Sequence, residues 1–196
     1  MLTNDKLEAD NLEARRKREG ILFLLLFALT IPAANWLIGH AGTKCVPDGP
    51  CLIPVAPGLM APSGVTMIGI ALVLRDLVQR RLGVGVAVGA ILAGAALSAL
   101  VAPPALVVAS AAAFLLSELA DFAVYTPLAR RRLIVAVVAS SLVGLVVDSI
   151  VFLWLAFGSL DFLAGQVVGK ARMVLLSIPF VAWLRRRDEK TGMASA

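Results

Sequence analysis

The sequence predicts an all-α integral membrane protein, built as a bundle of six transmembrane helices with both termini in the cytoplasm. Three observations lead to this prediction. The 196 residues are 60% hydrophobic with a mean hydropathy of +0.91, whereas a soluble domain is about half apolar. The apolar residues form six stretches, each close to the roughly 20 residues that a helix needs to cross the hydrocarbon. The basic residues are concentrated between alternate stretches.

The six predicted spans form one membrane domain that covers residues 1–196, without an internal boundary. The spans are 20–39, 62–79, 84–101, 105–129, 133–157 and 162–184. Residues 1–19 and 185–196 are predicted to be cytoplasmic tails. The N-terminus is not predicted to be a cleavable signal peptide, because it opens with a charged stretch and has no small-residue cleavage site.

The distribution of basic residues predicts the orientation. Fifteen of the 18 Lys and Arg residues lie in the two tails and in the second-to-third and fourth-to-fifth connections. Six spans place these four segments on one side, and the opposite side holds only Lys44. Lys170 and Arg172 lie inside the sixth span. The positive-inside rule makes the basic side cytoplasmic, so the net charge of +5 indicates topology and not a nucleic-acid partner.

The longest connection, residues 39–61, is then predicted to face outward. It contains Cys45 and Cys51, separated by Pro47-Asp48-Gly49-Pro50, which is strong turn chemistry. A disulfide is plausible outside the cytoplasm. The alternative is two free thiols, and the sequence leaves both open.

Two carboxylates in the middle of the fourth span, Glu118 and Asp121, are the most informative feature of the chain. A charge at the bilayer centre costs on the order of 3 kcal/mol or more. Residues three apart share one helical face, and Tyr125 extends that face. Either these acids form a polar binding site, or they form ion bridges that hold helices together.

Further polar residues lie within other predicted spans. Asp148 is expected either to bind a ligand or to form a bridge to Lys170 or Arg172. Gln166 and Lys170 are four residues apart and share a face, and the simplest partners of Lys170 are the acids of the fourth and fifth spans. Asn35 could bind the edge of a heterocycle or a neighbouring backbone group.

The charged residues at the end of the second span are predicted to be mainly interfacial anchors. These are Arg75, Asp76, Arg80 and Arg81. A second interpretation is that Arg75 and Asp76 lock the cytoplasmic side of the bundle. The chain has no phosphate loop, His/Cys metal cluster, serine nucleophile elbow or dinucleotide fingerprint, so we predict no enzyme, metal or cofactor.

Several motifs together resemble the queuosine precursor transporter family, also called the vitamin uptake transporter family. The resemblance extends from about Asn35 to Trp183, and its most specific part is the fourth-span motif. The motifs are RDLVQR at 75–80, SELAD at 117–121 with VYTPL at 124–128, SLVG at 141–144 with DS at 148–149, and GQ and GK at 165–166 and 169–170.

The resemblance implies a multi-pass protein of the bacterial inner membrane that takes up 7-cyano-7-deazaguanine and/or 7-aminomethyl-7-deazaguanine for queuosine synthesis in tRNA. It implies a six-helix bundle similar to the substrate-binding subunits of energy-coupling-factor transporters, working without the ATPase module. The ligand chemistry and the buried polar groups together predict the substrate site. The predicted site residues are Asn35, Glu118, Asp121, Tyr125, Asp148, Gln166 and Lys170.

Three alternatives stay open at this point. The same scaffold could carry another vitamin or nucleobase, or the chain could be a membrane scaffold or assembly subunit without transport activity. It could also be a substrate subunit that docks on a coupling module. The expected partners are a small-molecule substrate and the lipid bilayer, without nucleic acid. Energy coupling and oligomeric state are left open, a homodimer being one option.

Overall fold

The computed structural model describes residues 2–47, 50–102 and 106–192, with side chains from residue 10 onward. These residues form six helices and one small sheet. The helices are α1 (Leu2–His40), α2 (Val65–Leu82), α3 (Val84–Val101), α4 (Val107–Ala129), α5 (Leu133–Phe157) and α6 (Leu163–Thr191). The antiparallel sheet has the order β1 (Lys44–Cys45), β2 (Cys51–Ala56) and β3 (Leu59–Pro62).

The predicted helical membrane character is confirmed. Among the described residues, five helices are long and apolar enough to cross a membrane: Asp10–His40 of α1, and α3, α4, α5 and α6. Their outer faces carry large exposed apolar side chains such as Leu100 and Val108, which are 82% and 73% exposed. Apolar surface of this extent is typical of a protein that contacts lipid.

Helix α2 is not among these five. It is 18 residues long but carries four charged side chains. Eleven of its 18 residues are buried, so it lies inside the bundle, where its charged groups find protein partners instead of lipid.

The observed helix bounds agree with the predicted spans at α3 and α5 and differ at the chain ends. Residue 105, where the fourth predicted span begins, lies outside the described residues. The predicted tails continue the helices, since α1 begins at Leu2 and α6 ends at Thr191; residues 193–196 are not described. The pairs Arg15–Glu19 and Arg185–Glu189 bridge successive turns at 3.3 and 2.7 Å, which supports helix in these charged stretches.

Two glycines allow the sharp turns that keep the helices adjacent. Gly83 joins α2 to α3 with φ +90°, and Gly158 ends α5 with φ +62°. Only glycine adopts such angles without strain. These turns reverse the chain within few residues, as the short predicted connections require.

The loop predicted to face outward forms a hairpin sheet, which the sequence did not predict. Cys45 and Cys51 face each other across β1 and β2 and form a disulfide. Val55 and Ala61 pack against Val65 at the start of α2. At Gly165, α6 approaches the Met60 carbonyl oxygen so closely that a side chain would not fit. We call this side of the bundle the hairpin end.

The opposite side, which we call the terminal end, is closed by an ion network. The Arg81 side chain is fully buried and contacts Glu19 of α1 at 3.0 Å and Asp188 of α6 at 2.8 Å. Arg80 also contacts Asp188, at 3.0 Å, and Arg187 contacts Glu19. The prediction that Arg80 and Arg81 are interfacial anchors was wrong for Arg81, because it joins three helices inside the protein.

The packing of α6 against the hairpin predicts that Gly165→Ala destabilises the protein. The added methyl group would collide with the Met60 backbone, and overpacking of this kind costs about 1–3 kcal/mol. The melting temperature of the purified protein in detergent should fall. Gly89→Ala is the matched control, because a methyl group there meets no atom within 4 Å; equal melting temperatures for the two variants would contradict the close approach.

Candidate functional site

A cavity occupies the half of the bundle nearest the hairpin. It contains about 740 Å³ of empty space, including its open mouth, and is lined by residues of all six helices. The walls combine apolar and aromatic side chains with a few polar ones. They include Ile31, Ile38, Phe114 and Phe152, together with Asn35, Ser117, Glu118, Asp148 and Gln166.

Arg75 of α2 lies below this cavity and is fully buried. Its Nε donates to Glu118 Oε2 at 3.1 Å, and its Nη2 donates to Asp121 Oδ1. Its Nη1 donates to Gln79 Oε1 at 3.3 Å and lies 3.1 Å from Asp76 Oδ1. One guanidinium therefore serves three carboxylates on two helices.

Local structure places this guanidinium in the middle of the bundle. At 1.5 Å per residue, Arg75 lies about 15 Å along α2 from its first residue. The rings of Phe122 and Tyr125 flank it, each with its centroid 5.7 Å from the guanidinium carbon. Gly144 lets α5 approach from the other side, since a Cβ there would lie 3.0 Å from the Asp121 Cβ.

Glu118 connects the Arg75 cluster to the cavity. Its Oε2 is bound by Arg75, and among the described residues no donor contacts Oε1. Glu118 also lines the cavity. The guanidinium therefore orients the carboxylate, and one of its oxygens is left to accept hydrogen bonds from a ligand.

A second buried ion pair, between Lys170 and Asp148, holds the cavity-lining side chains of α5 and α6 in place. Lys170 is fully buried, and its Nζ donates to Asp148 Oδ2, to Ser149 Oγ at 2.9 Å and to Gln166 Oε1 at 2.6 Å. Of the two bridges considered for Asp148, the structure has the one to Lys170. Arg172 instead donates to the Val55 carbonyl of the hairpin sheet.

This arrangement determines what the wall can offer. Because Gln166 uses its oxygen on Lys170, its amide nitrogen is the group available as a donor. Asp148 retains Oδ1 as an acceptor beside the cavity. The Asn35 amide nitrogen donates to the Ile31 carbonyl at 3.0 Å, as in the predicted alternative of a bond to backbone. The Asn35 amide oxygen is left to accept a hydrogen bond from a ligand.

The predicted site residues divide into two groups. Asn35, Glu118, Asp148 and Gln166 line the cavity. Asp121, Tyr125 and Lys170 are not in its lining and lie behind it, in contact with Arg75 or with the lining residues.

Tyr125 faces the other half of the bundle. Its ring borders a smaller cavity toward the terminal end, with about 410 Å³ of empty space, which is also lined by Gln79, Arg80, Thr126 and Arg130. Its hydroxyl is buried without a hydrogen-bond partner among the described residues. Arg75 thus lies between two cavities, because it contacts Glu118 of the first and Gln79 of the second.

Sequence reasoning missed the position of Arg75 and Asp76. Their prediction as interfacial anchors was wrong, since both are fully buried. Asp76 accepts a hydrogen bond from Ser140 of α5 at 3.3 Å. A count of charges could have revealed the position of Arg75. The two acids of the fourth span need a cation at similar depth, and Lys170 cannot pair with both these acids and Asp148. Among the described residues, no group of three or more His, Cys, Asp or Glu side chains could hold a metal ion.

Comparison with known proteins gives one family match. A family model described as "putative vitamin uptake transporter" matches residues 97–184, which is just under half of the chain. The match contains Glu118, Asp121, Asp148, Gln166 and Lys170, and it begins after the segments that contribute Asn35 and Arg75. Neither the curated proteins nor the solved structures give a match.

The Arg75 cluster predicts a large loss of stability in Arg75→Gln. Removing one partner of a buried ion pair costs about 3–5 kcal/mol, because the remaining charge is left uncompensated. The melting temperature in detergent should fall sharply, and the double variant Arg75→Gln/Asp121→Asn should recover part of the loss. Arg131→Gln is the control, since Arg131 is exposed in the α4–α5 turn; a similar effect of both single variants would contradict the assignment.

Proposed function

We propose that this protein is a transporter of the bacterial inner membrane that takes up 7-cyano-7-deazaguanine and/or 7-aminomethyl-7-deazaguanine. The family match supports vitamin uptake, and the motifs described above support the narrower substrate class. The observation that carries the proposal is the Glu118 carboxylate: Arg75 binds its Oε2, its Oε1 has no donor among the described residues, and Glu118 lines a largely apolar cavity.

The donor edge of a deazaguanine is complementary to this carboxylate. The base presents a ring N–H beside an exocyclic amine, and a carboxylate accepts from two adjacent donors in a bidentate manner. Oε2 can take part although Arg75 already binds it, because each carboxylate oxygen has two acceptor positions. Gln166 supplies an amide donor for the carbonyl of the base, and Phe114 and Phe152 supply apolar walls for its flat ring.

Asp148 suits the substituent that distinguishes the two bases. An aminomethyl group is cationic, and Asp148 lines the same cavity. A cyano group has no charge and gains nothing from a second acid. The protein would therefore use Glu118 to recognise the base and Asp148 to choose between its 7-substituents.

The buried residues behind the cavity take supporting roles in this proposal. Lys170 holds Asp148 and Gln166 in position, and Asp121 holds the guanidinium that orients Glu118. Tyr125 covers the guanidinium from the side of the terminal end.

In the proposed topology, α2 crosses the membrane in addition to the five apolar helices. The bundle then has six spans, and both termini are in the cytoplasm. The basic clusters of the tails and of two connections support this orientation. The hairpin disulfide supports it independently, because such bonds persist in oxidising compartments and not in the cytosol. The charges of α2 are compatible with a span because they are paired inside the protein.

Glu118→Gln tests the role of the carboxylate. Glutamine keeps the size of the side chain but replaces one acceptor oxygen with a donor that faces the donors of the base. Loss of a charge-assisted pair of this kind costs about 1.5–3 kcal/mol, so affinity should fall by roughly ten- to a hundredfold. The thermal shift of the purified protein with 7-cyano-7-deazaguanine measures this affinity. Glu189→Gln is the control, because Glu189 is exposed.

The comparison ligands for this test are guanine, another nucleobase and a vitamin. Tighter binding of any of these than of both deazaguanines would contradict the substrate class. Restored growth or tRNA modification in a queuosine-precursor auxotroph, together with binding, distinguishes a transporter from a scaffold. A protein that binds no small molecule and restores no uptake would contradict the transport function.

Asp148→Asn tests the choice between substituents. The variant should lose affinity for the aminomethyl base and change little toward the cyano base, because only the former carries a cation. The measured quantity is the ratio of the two affinities within one variant, which cancels any general loss of stability from leaving Lys170 unpaired. An unchanged ratio would show that Asp148 does not contact the substituent.

A further inference from the structure

We propose that Asp76 and Asp121 form a proton-binding site between the two cavities, and that the proton bound there drives uptake. The site itself is independent of the substrate. Its coupling to uptake rests on the proposed function.

The first argument is charge. Arg75, Asp76 and Asp121 are fully buried and Glu118 is 2% exposed. With every group ionised, one positive charge would face three negative charges away from water. Buried charges without compensation are strongly disfavoured, and two adjacent carboxylates share a proton for the same reason. A bound proton removes one of the two uncompensated charges.

The second argument is geometric. Asp76 Oδ1 and Asp121 Oδ2 are buried without a hydrogen-bond partner among the described residues. Arg75 Nη1 lies 3.1 Å from Asp76 Oδ1, but its N–H groups are not directed at that oxygen. Both carboxyl groups flank the same guanidinium, so they lie close together. A proton on one acid, shared with the other, gives partners to oxygens that otherwise have none.

The charged and titratable groups around the pair come from four helices. Arg75 belongs to α2, and Glu118 and Tyr125 belong to α4. Helix α5 contributes the Ser140 hydroxyl and Asp148, and α6 contributes Lys170, which is already paired with Asp148. Helix α3 contains no charged residue, and α1 contains none between Glu19 and His40. Arg75 is therefore the sole cation that serves the pair among the described residues.

The position between two cavities gives the proton a function. Arg75 contacts Glu118, which lines the cavity at the hairpin end, and Gln79, which lines the cavity at the terminal end. When the pair loses its proton to water in the second cavity, Asp76 and Asp121 both become anionic. They then compete with Glu118 for the guanidinium, which weakens the support of the substrate-binding carboxylate.

Linkage makes this relation reciprocal. If proton loss weakens substrate binding, substrate binding must favour the protonated pair to the same degree. Substrate and proton would therefore enter together from the hairpin end. Release of the proton toward the terminal end would favour release of the substrate.

Infrared spectroscopy tests the proton site without any substrate. A protonated buried carboxyl has a C=O stretching band distinct from that of carboxylates, and the band shifts in deuterium oxide. We expect the band in the purified protein at neutral pH and in the control Asp161→Asn, whose carboxyl group is exposed. Asp76→Asn and Asp121→Asn, which resemble the protonated form in size and charge, should each remove or shift it. A wild-type spectrum without the band would overturn the site.

Proteoliposomes test the coupling. With the membrane potential held at zero, an inward pH gradient of one unit should drive about tenfold accumulation for one proton per substrate. Asp161→Asn should behave like the wild type, whereas both buried variants should show an accumulation ratio near one. If accumulation by the wild type does not depend on the pH gradient, the coupling is overturned, while the assignment as a transporter stands. Absence of any substrate binding or uptake would instead contradict the proposed function, and the infrared band would still decide the proton site.

Discussion

The arrangement of the bundle depends on one buried guanidinium. Arg75 joins α2 to α4 through Glu118 and Asp121, and it holds Gln79 and Asp76 of its own helix. The two acids of α4 can lie in the protein interior because this cation lies between them. The small residue Gly144 brings α5 close enough to enclose the group.

The cavity and its support are separate layers of side chains. Asn35, Glu118, Asp148 and Gln166 reach the cavity, and each has a polar atom engaged by the protein and another polar atom that the protein leaves unused. Lys170 and Arg75 provide most of these engagements from behind. Side chains held in this way lose little freedom when a ligand binds, so the affinity for a small ligand does not have to offset a large ordering cost.

The sequence predicted the helices better than it predicted their partners. The spans at 84–101 and 133–157 agree with α3 and α5 because each is a predominantly apolar run, and a glycine turn marks one boundary of each. The polar residues were found because charges in such runs are rare. Their pairing depends on which helices are neighbours, which hydropathy does not encode. Lys170 was therefore assigned to the acids of both α4 and α5, although Asp148 of α5 is the acid that it contacts. Arg75, which pairs with the acids of α4, was predicted to lie at the membrane surface. The hairpin sheet was missed because its strands are short and interrupted by proline.

The contacts of α6 have a consequence for the order in which the protein is made. Helix α6 follows the other five described helices in the chain, so it leaves the ribosome after them, and it supplies Lys170 for Asp148 of α5 and Asp188 for Arg81 of α2. Until it is inserted, Asp148 lacks Lys170 and Arg81 has only Glu19 of α1, so the first five helices form an incomplete assembly in the bilayer. A chain truncated before α6 would expose these charges to membrane quality control. Completion of these ion pairs is therefore tied to synthesis of α6.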